Sequence, residues 1–177
     1  MSQDATEVDV QSDPIDFALR FANSETFRNL FREGMGLVEE TAAYLDGPGR
    51  NDSKDLGRAG SLVYATESMR LTTRLMQLAS WLLLQRAVNE GEMTQAQAGI
   101  EKAKVRIDGP SSSRNGPGWD EVPEALKGLI DRSVRLQDRI RKLDKAIYQE
   151  ETVEAPAVNP VAAQVGRLTD AFGGLGR

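Results

Sequence analysis

The sequence predicts an all-α protein, an antiparallel three-helix bundle with a short extra helix and flexible N- and C-terminal tails, on three observations. Apolar residues recur every three or four positions over three long stretches, the period of helices with a buried face. Capping residues and Gly/Pro breakers stand at the edges of those stretches. No segment reads as a strand, and no internal repeat occurs. The 177 residues suit a single domain. Its parts are an arm over residues 1–22, a bundle over 23–149 with a loop at 107–122, and a tail over 150–177.

The first twenty or so residues are polar, contain Pro14 and keep no sustained period, so they are expected to be disordered. The first long helix begins after Ser24, an N-cap residue, with Glu25 placed to favour the helix dipole. Its apolar face is expected at Phe27, Leu30, Phe31, Met35, Val38, Ala42 and Leu45. Gly34 and Gly36 each cost that helix about 1 kcal/mol relative to Ala, which implies close approach of another helix or a local kink. Asp46-Gly47-Pro48-Gly49 stops it.

The second long helix is expected to start at Asp52-Ser53 and to meet no breaker before Gly91, a length of about 37 residues or roughly 55 Å. The first helix reaches only about 32 Å by the same rise. Thr94 and Gln97 form a capping box for a short helix ending near Val105. A loop rich in Gly, Pro and Ser follows, with Trp119 near its end, and Pro123 opens the third long helix. Leu126, Leu129, Ile130, Ser133, Leu136, Ile140, Leu143 and Ile147 give that helix a seven-residue repeat. The expected bundle core is Phe27, Phe31, Val38 and Leu45 from the first helix; Leu71, Leu75, Leu78 and Leu82 from the second; and Leu129, Leu136, Ile140 and Leu143 from the third.

The second helix carries more apolar surface than a bundle needs. At 100° per residue, Tyr64, Leu71, Leu75, Leu78 and Leu82 share a sector of roughly 40°. Met69, Met76, Leu83 and Ala87 share another, about 130° away. Trp81, Leu84 and Val88 populate the remaining side. The surplus stripe, and the overhang beyond the first helix, predict a dimer or partner interface made of Met69, Arg70, Thr73, Met76, Gln77, Ser80, Leu83, Leu84 and Ala87. The alternative is that the short helix and Trp119 fold back and cover the stripe. Arg70, Arg74 and Gln77 lie on one side of the helix with Glu67 nearby, and local ion pairing is the simpler account of that group.

Composition excludes several function classes. A net charge of −5 and a pI near 4.9 oppose nucleic-acid binding and attraction to anionic membranes. With no cysteine and no histidine, thiol nucleophiles, thiolate or imidazole metal ligands and the usual general base are missing. Glu39, Glu40, Glu67 and Glu101 lack the His partners of a di-iron bundle. Gly47-Pro48-Gly49-Arg50 lacks the Gly-Lys-Ser/Thr ending of a phosphate loop. Basic residues on the third helix alternate with Asp131, Asp138 and Asp144, as on a solvated face. No catalytic, cofactor-binding or metal-binding residue is predicted, no cofactor is expected, and the protein is expected not to be an enzyme. The polar, acidic start is unlike a secretory signal and no run spans a bilayer, so a cytoplasmic protein is expected. In the tail, Leu168, Phe172 and Leu175 are the residues able to anchor a contact.

Two blocks carry a family resemblance: Phe31 to Arg50 (FREGMGLVEETAAYLDGPGR) and Tyr64 to Leu84 (YATESMRLTTRLMQLASWLLL). With Glu90-Gly-Glu-Met-Thr94 and the run from Leu126 to Asp144, they resemble the alphaproteobacterial regulator of CtrA degradation (RcdA) family over about residues 20–148. The resemblance implies a homodimeric three-helix bundle that serves as an adaptor for the ClpXP protease. Its implied partners are ClpX with the response regulator CpdR, cell-cycle cargo including CtrA, and the cyclic-di-GMP effector PopA, with concentration at a cell pole. A helical scaffold at the pole or division site, without a role in proteolysis, is the competing expectation.

Overall fold

The computed structural model describes residues 24–105, 107 and 116–148. The expected disorder of the arm and tail, and half of the expected loop (residues 108–115), lie outside the described residues. The described chain is all helical: α1 (Glu25–Asp46), α2 (Pro48–Asp52), a 3-10 turn (Ser53–Asp55), α3 (Arg58–Asn89), α4 (Gln95–Ala103) and α5 (Glu124–Tyr148). The long helices α1, α3 and α5 pack on one another around a single apolar core.

Local chemistry sets most boundaries. The Ser24 Oγ accepts from the Phe27 N–H at 3.2 Å, as expected of an N-cap. Thr94 and Gln97 close a full capping box on α4. The start of the second long helix differs from expectation. Pro48 opens the separate α2 at its first turn, and Ser53 ends α2 by donating to the Arg50 carbonyl at 3.0 Å. Gly57, extended at φ −63° and ψ 170°, is the true N-cap of α3, and its N–H donates to Glu121 Oε2 at 2.8 Å. The helix is therefore 32 residues long, or about 48 Å. At the corner, the Tyr44 hydroxyl donates to Asp52 Oδ2 at 2.9 Å. Burial, then the bond to Asp52, pushes the Tyr44 hydroxyl well above the usual tyrosine range.

Side-chain pairs fix the helix directions. Arg139 pairs with Glu33 at 2.6 Å and Arg132 with Glu40 at 2.7 Å, so α1 and α5 are antiparallel. α1 also opposes α3, since Gly34 lies under Leu82 and Phe31 under the Arg86 guanidinium. By contrast, α3 and α5 run the same way: Arg74 bonds Ser133, Trp81 bonds Asp144, and Gln85 bonds Tyr148. The segment after α3 must therefore return the chain along the length of the bundle before α5 begins, the long-crossover form of a helical bundle. Trp119 and Val122 close that return against the core.

The buried stripe of α1 is Phe27, Leu30, Gly34, Leu37, Thr41 and Tyr44. Beyond Leu30 this is one residue earlier than the expected face, a rotation of about 100°. Met35, Val38 and Leu45 flank the core half-buried, and Ala42 is exposed. The cause is Gly34. A Cβ there would run into Leu82 Cδ1, so the glycine must face α3, and the larger Met35 moves to the flank. Gly36 meets nothing within 4 Å and has no such role. Of the twelve expected core residues, Phe31, Val38, Leu45 and Leu143 pack half-buried against the core and the others are buried.

This contrast predicts opposite signs for two similar substitutions. A methyl group placed on Gly128, in α5, would meet nothing within 4 Å, so Gly128→Ala should stabilise by about 0.5–1 kcal/mol through helix propensity. Gly34→Ala should destabilise, because overpacking against Leu82 outweighs that gain, by about 1–2 kcal/mol. Urea unfolding of the two variants checks the difference.

Candidate interaction surface

α3 is the central helix, and it is apolar on two opposed sides. One side faces the bundle with Leu71, Leu75, Leu78, Trp81 and Leu82, each at most 4% exposed. The other presents Leu62, Met69, Met76 and Leu83, which are 70%, 72%, 66% and 52% exposed. Exposure of this degree on four large apolar residues means that nothing described in the chain covers them. α4 instead packs beside α3 and α5, with Ala98 fully buried and Lys102 paired to Asp144 at 2.8 Å. The loop end bearing Trp119 lies by the start of α3, where Gly118 abuts Ala59. Among the described residues, the fold-back alternative for the surplus stripe therefore fails.

The exposed residues are spaced by seven, and Thr66, Thr73, Ser80 and Ala87 fall between them, four positions after each. Large and small side chains so alternate at intervals of four and three, the seam of a coiled coil. The Thr66 hydroxyl donates back to the Leu62 carbonyl and that of Ser80 to the Met76 carbonyl, both at 2.8 Å. With their polar atoms satisfied inside the helix, these residues add apolar and shallow surface to the stripe. The seam extends over about 38 Å from Leu62 to Ala87. A helix can approach it closely because every second position is small.

The predicted interface residues divide between the seam and its flank. Met69, Thr73, Met76, Ser80, Leu83 and Ala87 lie on the seam. Arg70, Gln77 and Leu84 lie beside it, half-buried. Leu62 extends the seam beyond the predicted set; it sits seven before Met69, and the same repeat identifies it. Arg70 pairs with Glu67 at 2.6 Å, the local account expected of that group. Arg74 is the exception: it is 3% exposed and donates to Ser133 Oγ at 2.9 Å inside the bundle. A helical wheel with a broad apolar arc gives no sign that one arginine on its margin is needed to bond across to a serine on α5.

Other polar bonds tie α5 to its neighbours, α3 and the segment after α4. Trp81 Nε1 donates to Asp144 Oδ1 at 2.8 Å, and Gln137 Nε2 donates to the Ile107 carbonyl at 2.6 Å. Such directional bonds fix the register of two helices that apolar contacts alone would let slide. They turn inward and are spent on the fold. Among the described residues, no group of three or more acidic side chains is arranged to hold a metal, and no helix is long and apolar enough to cross a membrane.

A family described as "Protein of unknown function (DUF1465)" matches residues 18–172. The solved structure of RcdA from Caulobacter crescentus CB15 is 53% identical, covers 73% of this chain and 97% of its own, and superposes with a TM-score of 0.60. The chain belongs to the RcdA family. No curated protein matches it. RcdA membership agrees with the resemblance carried by the blocks at Phe31–Arg50 and Tyr64–Leu84. It also gives the α3 seam a setting: the second block is the seam and the core face of one helix together.

Proposed function

We propose that this RcdA-family protein is a non-enzymatic adaptor that helps deliver cell-cycle regulators, CtrA-like cargo among them, to the ClpXP protease. The observation that carries the proposal is the exposed seam of α3, joined to 53% identity with a protein named for CtrA degradation. An adaptor works through surfaces, and α3 keeps its polar bonds to α5 inside the bundle while turning a second apolar stripe outward. In this reading the stripe forms a homodimer, and ClpX with a response-regulator partner, the cargo and a cyclic-di-GMP-binding adaptor engage the remaining surfaces. The protein acts in the cytoplasm and concentrates at a cell pole.

The test is a reconstituted degradation reaction containing ClpXP, its response-regulator partner and a CtrA-like cargo. Adding the protein should accelerate cargo loss severalfold, and a protease-dead ClpP should abolish the effect. An unchanged rate for every cell-cycle cargo tried would overturn the proposal.

A further inference from the structure

The exposed seam of α3 has the same shape from either end. Its large residues stand at Leu62, Met69, Met76 and Leu83, and a small one follows four positions after each. A second copy turned end for end about the level of the Arg74–Leu75 peptide meets this pattern with its complement. Every large residue of one copy then falls on a small residue of the other, from Met76 on Thr73 beside the axis to Leu62 on Ala87 at the ends. A parallel pair in register stacks large on large and small on small, and close packing penalises both the crowded layers and the empty ones. We propose that the seam joins two copies of the chain antiparallel, with the two-fold axis at the level of Arg74 and Leu75. The proposal rests on the homodimer put forward above and assigns its direction and register.

A seven-residue repeat lets two copies slide by one heptad, and the flanks of the seam choose between the registers. With the axis at Arg74–Leu75, Arg70 of one copy comes beside Gln77 of the other, and Val63 beside Leu84, so polar meets polar and apolar meets apolar. At each end Arg58, exposed and without an ion pair among the described residues, approaches Glu90 of the other copy. Sliding one heptad toward the start of α3 also matches the large residues with small ones, Ala59 taking the place of Ala87. That register, however, sets Arg70 against its own counterpart at the axis and Arg58 beside Arg86, and like charges facing across an interface disfavour it. Sliding the other way leaves Leu62 with no small residue of α3 to meet.

Two further features suit the seam to a second copy of itself. It carries no charged residue, so closing it buries no unpaired ion. The stripe also drifts by about 20° per heptad around a straight helix, so two α3 helices cross at a shallow angle and lie closest at Met76 and Thr73.

The chain has no cysteine, so a single introduced one is a unique reporter. Ser61 is exposed beside the seam, and a spin label on full-length Ser61→Cys reads the arrangement by pulsed dipolar spectroscopy. The label should lie about 40 Å from its twin in the proposed register, against about 30 Å in the slid register and about 15 Å or less in a parallel pair. Independently, Leu62→Cys mixed with Ala87→Cys should form disulfide-linked heterodimers on oxidation, and neither variant alone should cross-link. A distance near either of the other values, or self-linking of Leu62→Cys, would overturn the antiparallel register and leave the homodimer standing. A monomer mass for the parent chain by sedimentation at the labelling concentration would overturn both.

Discussion

Met76→Glu, or Leu83→Glu, is expected to turn the proposed dimer into a monomer without loss of helix. Each residue is mostly exposed in the single chain, at 66% and 52%, so neither contributes much to the bundle's own core. Burying such a side chain in an interface is worth about 1.5–3 kcal/mol, and a two-fold interface loses it twice. The sum, about 3–6 kcal/mol, corresponds to roughly 10²–10⁴-fold weaker association, before the penalty of bringing carboxylates together. Sedimentation equilibrium at micromolar concentration should give the monomer mass, and far-ultraviolet circular dichroism should match the parent. If helicity falls together with mass, the stripe belongs to the fold. If mass is that of a monomer already in the parent, the seam serves another partner.

The sequence made α3 readable and α1 only partly so, for a physical reason. Hydrophobic period reports how many apolar faces a helix has, and for α3 that number was two, with the second left over. It says little about which of two adjacent faces turns inward. On α1 the deciding residue is Gly34, whose lack of a side chain admits Leu82, and a glycine carries no hydrophobic signal. The polar register bonds were hidden in the same way. Arg74 and Ser133 lie 59 residues apart in sequence, and neither looks like a core residue by type. The parallel course of α3 and α5 escaped the sequence for a related reason: it is fixed by those bonds and by the length of the returning segment, whereas short links favour antiparallel neighbours. The break at Gly57 was missed because glycine inside a helical pattern is tolerated often enough to be read through. Its role shows only where Glu121 of the returning segment accepts from its N–H.

Trp81→Ala should be the most damaging single change to the bundle. Trp81 is fully buried and its Nε1 donates to Asp144, which in turn pairs with Lys102. One side chain therefore joins α3 to α5, and through Asp144 to α4. Removing a buried tryptophan side chain costs about 3–5 kcal/mol from lost contacts and the cavity that remains, a large share of the roughly 5–15 kcal/mol that stabilises a typical domain. Trp81→Phe separates the two contributions. It keeps most of the apolar volume and loses the bond to Asp144, so it should cost about 1–2 kcal/mol. Both belong in a Met76→Glu background, since association would otherwise add a concentration-dependent term to the apparent stability. Denaturant unfolding gives the free energies. A cost below about 1 kcal/mol for Trp81→Ala, well under the range for a buried tryptophan, would mean that α4 and α5 close over the vacancy, and that the register is held by Arg74 and Gln85 without the indole.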